Sequence, residues 1–227
     1  MKKKLVVLTG AGISAESGIK TFRDSDGLWE GHNVMDVATP EGWYKNKTLV
    51  LDFYNQRRKQ LKEVQPNLGH QILAELENDF DVYIITQNVD DLHERAGSSK
   101  ITHLHGELLK VRSSKNENYI LDWHDDLNLG DNDDQGHQLR PHIVWFDEQV
   151  TLIPTAKKIM RQADVFILVG SSLQVYPAAG LINYVPLDAP KYIIDKKIPP
   201  VVSQPNMFLI EKPATEGVQE LCNILIG

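Results

Sequence analysis

The feature that most restricts the fold of this chain lies at its start. A short apolar run, Leu5-Val-Val-Leu8, passes directly into Thr9-Gly10-Ala11-Gly12-Ile13-Ser14-Ala15-Glu16-Ser17-Gly18. An unbroken Val/Leu run without alternation reads as a strand buried on both faces, as in a parallel sheet. Gly10-x-Gly12-x-x-Ala15 then fits the dinucleotide fingerprint, whose glycines allow a tight turn and close approach of backbone to a pyrophosphate. Taken alone, the pattern is shared with plain tight turns. A nicotinamide dehydrogenase would continue into a second strand ending in an acid ~20 residues on. Here the chain enters the polar stretch Thr21-Phe22-Arg23-Asp24-Ser25-Asp26-Gly27-Leu28-Trp29 instead, which argues against hydride transfer.

Further along, short apolar runs alternate with helical patterns. Strands are predicted over 5–8, 82–86, 143–146, 165–169, 192–194 and 207–210, and helices over 48–63, 68–78, 152–162, 177–183 and 216–226. This alternation predicts an α/β fold: a Rossmann-like parallel sheet with helices on both faces. Two stretches break the rhythm. One runs from about Phe22 to Leu61, without a strand candidate. The other, from about Ser113 to Gln138, carries Glu117, Asp122, Asp125, Asp126, Asp131, Asp133 and Asp134 and no Lys or Arg between Lys115 and Arg140. Both read as insertions forming a small domain, one part helical (31–63) and one short and acidic (111–139). Segments 1–30, 64–110 and 140–227 are left for the sheet domain.

Composition removes several function classes. A formal net charge of -7 argues against a general nucleic-acid binder. The single cysteine, Cys222, allows neither an internal disulfide nor a four-Cys zinc site. The first apolar run is shorter than the ~7–15 residues of a signal-peptide core, and nothing approaches the ~20 apolar residues of a membrane span. A soluble, cytoplasmic, monomeric protein is expected.

Polar residues gather at the predicted strand ends, where open α/β sheets bind ligands. Thr86-Gln87-Asn88-Val89-Asp90 follows one strand, with helix capping by Asn88 or Asp90 as the alternative use. In Ile101-Thr102-His103-Leu104-His105-Gly106, period-2 alternation puts His103 and His105 on one face. Gly106 removes a side chain beside the second imidazole. Val169-Gly170-Ser171-Ser172 is a third strand end of this kind.

Seven motifs together carry a resemblance: residues 10–19, Thr21-Phe22-Arg23, residues 86–90, His103-Leu-His-Gly106, Arg140-Pro-His-Ile-Val-Trp-Phe146, Gly170-Ser-Ser172 and Val175-Tyr-Pro-Ala-Ala179. The chain resembles the sirtuins, NAD-dependent protein-lysine deacylases, over nearly its whole length. In that family the acyl-lysine carbonyl oxygen attacks the ribose carbon bearing nicotinamide. A base then frees a ribose hydroxyl to attack the acyl carbon, giving nicotinamide, O-acyl-ADP-ribose and lysine. The resemblance implies that Gly10, Ala11, Gly12, Ile13, Ser14, Ala15, Glu16, Phe22, Arg23, Trp29, Gln87, Asn88, Val89, Asp90, Gly170, Ser171, Ser172, Asp195 and Ala214 bind NAD. It makes His105 the general base, a role that suits an imidazole at neutral pH, with Asn88 and Asp90 beside it. Val144 and Phe146 on one side and Val175 and Tyr176 on the other would hold the peptide, which adds as a strand.

Three departures accompany the resemblance. The two Cys-x-x-Cys pairs usual after the catalytic histidine are missing, so no zinc is expected. His124, His137 and His142 match no known spacing, and a calcium loop beginning at Asp131 fails because position 12 is His142. Asp195 replaces a common Asn and should favour NAD over a 2′-phosphorylated cofactor. Ser171 stands in a Thr slot, a neutral change. Finally, Val50, Tyr54, Arg57 and Leu61 share one helical face, and Tyr54-x-x-Arg57 resembles the signature of sirtuins that remove succinyl and malonyl groups. The bland alternative for Arg57 is an ion pair with an acid of the insert. Competing functions for the same pocket are ADP-ribosyl transfer, NAD cleavage, or a catalytically weak NAD or ADP-ribose sensor.

Overall fold

The computed structural model describes residues 2–20, 31–204 and 206–227, together with the backbone of 28–29. In chain order its strands are β1 (Lys4–Thr9), β2 (Leu28–Trp29), β3 (His32–Asn33), β4 (Asp81–Thr86), β5 (Ile101–His103), β6 (Gly106–Ser113), β7 (Ile120–Asp122), β8 (Leu139–Ile143), β9 (Val165–Val169), β10 (Lys191–Ile194) and β11 (Met207–Ile210). Its α-helices are α1 (Ala11–Ser14), α2 (Val34–Val37), α3 (Pro40–Lys45), α4 (Lys47–Glu63), α5 (Leu68–Glu75), α6 (Leu92–Ala96), α7 (Ile153–Met160) and α8 (Ala214–Ile226). Six strands form one parallel sheet in the order β11-β10-β9-β1-β4-β5. Because successive side chains of β1 alternate, Leu5 and Val7 enter the core under α5 and α8, whereas Val6 and Leu8 enter the core under α7. All four are fully buried, as an unbroken apolar run requires. Among the described residues no helix is long and apolar enough to cross a membrane.

The small domain differs in detail from the sequence expectation. The predicted strand 143–146 is displaced to Leu139–Ile143, and β6, unpredicted, pairs with it and with β7 in an antiparallel sheet. The boundaries expected at 110 and 139 therefore cut through or abut strands that pair with each other. Val144, Trp145 and Phe146 leave the ladder because their N–H groups donate to the His105 carbonyl, the Glu148 carboxylate and the Ala38 carbonyl. The segment predicted as helix 177–183 is a 3-10 turn, Ala178–Tyr184.

The acidic insert is held by both apolar contacts and polar bonds. Leu127 is buried and Tyr119 and Trp123 pack on the small core, but Ile120, Leu121 and Leu129 are exposed. Asn55 of α4 makes two reciprocal bonds with the Leu127 backbone, at 3.0 and 2.9 Å. Gln138 Nε2 ties the Asn128 and Asp131 carbonyls at 3.0 Å each. Among the described residues no three His, Cys, Asp or Glu side chains come together as a metal site. Because Cys222 is the single cysteine of the sequence and structural zinc usually takes thiolate ligands, a chelator is expected to leave the thermal unfolding midpoint unchanged. A drop in the midpoint, with one zinc per chain by elemental analysis, would contradict this.

His70 of α5 and His93 of α6 meet edge to face in the core, ring centroids 4.9 Å apart. Neither His70 nitrogen has a hydrogen-bond partner, and burial pushes the ring from 6.5 down to about 4. The neutral ring is the folded form, and the unfolded chain takes up a proton first as pH falls. Stability is therefore full above the ordinary value of 6.5 and declines toward pH 4, by about 3 kcal/mol from this group. Denaturant titrations across that window check it. In His70→Gln the acid slope should flatten.

Candidate active site

Three loops leave the carboxyl ends of neighbouring strands β4, β1 and β9. From β1 the chain first builds outward through β4 to β5, then returns to lay β9, β10 and β11 on the other side. The gap between β1 and β9 is thus the topological switch point, where such sheets hold dinucleotides. Here the loops interlock through backbone. Gly10 N–H donates to the Val169 carbonyl at 3.0 Å and Gly12 N–H to the Gly170 carbonyl at 2.8 Å. A Cβ on Gly12 would lie 2.6 Å from Gly170 Cα, and one on Gly170, whose φ is +64°, would strike the Ile13 backbone nitrogen. Gly170→Ala should therefore cost about 1–3 kcal/mol beyond the left-handed strain itself. Gly97→Ala, with φ +102° and open space around it, should show only the strain, about 1 kcal/mol. Urea denaturation of the two variants checks the difference.

Side chains complete the site. Ser14 Oγ donates to Asp90 Oδ2 at 2.9 Å and accepts from Asn88 Nδ2 at 3.1 Å. Leu92 N–H donates to the other Asp90 oxygen at 3.2 Å. Burial pushes the Asp90 carboxyl up to about 6, against these hydrogen bonds and the charge of His103. Gln87 Nε2 donates to Ser171 Oγ at 2.8 Å, joining the loops after β4 and β9. His105, two residues past β5, directs Nδ1 to the Gln87 carbonyl at 3.0 Å. Burial lowers the His105 pKa, only partly countered by that bond. Gly106, with φ +84°, is forced by β8: a Cβ there would overlap the His142 carbonyl oxygen.

The remaining candidates fall in distinct places. Ala11 and Ile13 belong to α1, while Ala15 and Val89 stand half-buried beside it and Ser172 follows Ser171. Asp195 is buried at the end of β10 and accepts from Lys197 N–H at 2.9 Å. Glu16 turns away from the crevice: its carboxylate accepts from Thr215 N–H and Oγ, at 3.1 and 2.9 Å, in the first turn of α8, next to buried Ala214. Phe22, Arg23 and the Trp29 side chain lie outside the described residues.

The most buried guanidinium of helix α4 belongs to Arg58, which donates to the Leu108 carbonyl at 3.1 Å and to Asn55 at 2.8 Å. Arg57 is half-buried, lies over the Phe53 ring and lines a cavity of about 50 Å³ with Lys20, Gln60, Val89, Asp90 and Leu108. Tyr54 is fully buried and its hydroxyl accepts from Trp145 Nε1 at 2.9 Å, so it does not line that cavity with Arg57. Burial pushes the phenol above its ordinary value. Sequence reasoning also missed Glu148. It binds Arg140 at 2.7 Å and Arg112 at 3.1 Å and accepts the Trp145 N–H at 2.9 Å, fixing the turn that presents Phe146. An acid in an exposed-looking loop carries no sequence signal of such a role.

A parallel sheet of this order, with glycine and amide loops converging at its switch point, defines a dinucleotide-binding α/β protein. Within that class the chain belongs to the Sir2 family, whose sequence pattern matches residues 10–177. It is 58% identical over 224 residues to an NAD-dependent protein deacylase of Helicobacter pylori, covering 99% of this chain and 98% of the relative. A crystal structure of a Sir2 homologue–NAD complex superposes with a TM-score of 0.88 at 38% identity, covering 99% of this chain and 90% of that one. A Sir2 bound to acetylated peptide gives 0.80 at 27% identity, covering 98% and 93%.

Proposed function

We propose that this protein is an NAD-dependent protein-lysine deacylase that removes succinyl and malonyl groups in preference to acetyl. The observation that carries the enzymatic reading is the His105 ring. A carbonyl only accepts, so the bond to Gln87 O supports a hydrogen on Nδ1 and leaves Nε2 as the proton acceptor. A passive NAD sensor has no use for a half-buried neutral imidazole held in that tautomer.

The donor set fits NAD. When bound, NAD supplies an electrophilic ribose carbon and a nicotinamide leaving group. Gly10, Gly12 and Gly170 bring two loops together at the switch point with no side chain between them, and Ser14, Gln87, Asn88 and Ser171 offer hydrogen bonds around it. Asp90 and Asp195 are suited to ribose hydroxyls, and Asp195 opposes a 2′-phosphate. Proton transfer is assigned to His105 Nε2.

Support for a peptide acceptor comes from Phe146, Val175 and Tyr176, which are exposed although large and apolar, and from the relative solved with acetylated peptide. Since the N–H groups of 144–146 are already bonded, a peptide strand would donate to carbonyls of this segment. Incubation with NAD and a panel of acyl-lysine peptides, reading nicotinamide and freed lysine, tests the proposal. Peptide-independent loss of NAD would favour NAD cleavage. No turnover at all would favour a sensor.

A further inference from the structure

Two histidines are built into the site in parallel. His105 Nδ1 faces the Gln87 carbonyl at 3.0 Å, and His103 Nδ1 faces the Asn88 carbonyl at 3.1 Å. Each Nδ1 therefore carries a hydrogen. The rings then part ways. His103 Nε2 lies 2.7 Å from Glu94 Oε1, a second acceptor, so its ring must donate from both nitrogens. Burial opposes ionisation of Glu94, but the hydrogen bond and charge of His103 outweigh it and hold the carboxyl below its usual value. The proton accordingly sits on His103, whose side chain is only 9% exposed, and the contact is a charge-assisted one.

This cation touches the backbone of Asn88, the residue whose side chain binds Ser14 and which precedes Val89 and Asp90. Facing His103 are Glu94 and neutral, buried His93 from α6, Asp90 from the loop after β4 and Glu107 from β6, and Asp91, Lys110 of β6, Asp122 of β7 and His124 line the same cavity. Asp90 is the one that needs it, since burial disfavours its ionised form.

We propose that the His103–Glu94 pair is a positioning unit for the NAD-facing segment 88–90, fixing the Asn88 carbonyl and keeping a positive charge beside the Asp90 carboxylate. The inference rests on the NAD-dependent reading of the site, and His103 itself acts through Asn88 and Asp90 rather than on the reacting atoms.

Two measurements on the full chain test it. Ring ¹⁵N shifts at neutral pH should show His103 protonated on both nitrogens and His105 on Nδ1 alone, with His103 becoming neutral in Glu94→Gln. This readout needs no turnover, so a neutral His103 in the unaltered protein overturns the inference and leaves the deacylase reading standing. In kinetics, His103→Gln should raise KM for NAD about tenfold or more while KM for the acyl peptide stays within about twofold. The acid limb of kcat/KM for NAD should move to higher pH, because Asp90 loses a neighbouring cation. A folded His103→Gln protein with unchanged NAD KM and unchanged acid limb also overturns it, and Glu94→Gln serves the same test if that variant does not fold. An unaltered protein that releases no nicotinamide with any acyl peptide would count against the functional reading alone.

Discussion

Replacing His105 by alanine is expected to lower peptide deacylation by about 10²–10⁴-fold, the usual contribution of a positioned general base. The fold should survive, because among the described residues the ring's one hydrogen bond is to the Gln87 carbonyl. NAD affinity should be largely kept, since the Ser14–Asp90–Asn88 and Gln87–Ser171 contacts do not use the imidazole. Calorimetric titration with NAD beside single-turnover assays separates the two. Burial lowers the His105 pKa, so the neutral, proton-accepting ring persists below the pH at which an ordinary histidine charges. The basic form of the site should then be lost only at a pH below 6.5. Turnover in the variant within about tenfold of the unaltered enzyme would remove His105 from the mechanism.

The second large effect concerns Arg57. On a succinyl-lysine substrate Arg57→Met should cost about 2–4 kcal/mol in kcat/KM, the loss of a charge-assisted contact to the acyl carboxylate. On acetyl-lysine the cost should be far smaller. The insert's Asp126 and Asp125 pair with Lys59 and Lys62, at 3.0 and 3.6 Å. Arg57 faces the small cavity beside Asp90 and Val89. Equal losses on the two substrates would mean that Arg57 is structural, and the acyl preference would fall.

How far the sequence carried this reading varies with the physics of each element. The parallel sheet was legible because Leu5–Leu8 and Val165–Val169 are unbroken apolar runs, which only a doubly covered strand accommodates. Gly10, Gly12 and Gly170 were legible as a motif, but the reason for them, backbone contact between two loops 160 residues apart in sequence, appears only in three dimensions. β6 escaped because its residues 106–113 mix Glu107, Lys110 and Arg112 with apolar positions, as expected for a sheet half-covered by a small domain. The burial of Arg58 escaped for a related reason. Helix α4 is covered on a broader face than a single stripe, and Arg58 is tolerated there because Asn55 and the Leu108 carbonyl satisfy it. Glu148 and the His103–Glu94 pair depend on partners distant or unpatterned in the chain, and no periodicity announces them.

The most direct measurement is the stoichiometry of one reaction. With NAD and a peptide bearing an isotope-labelled succinyl-lysine, each nicotinamide released should be matched by one freed lysine and one labelled succinyl group on ADP-ribose. Nicotinamide released with the label left on the peptide, or the label released as free succinate without loss of NAD, would contradict the account.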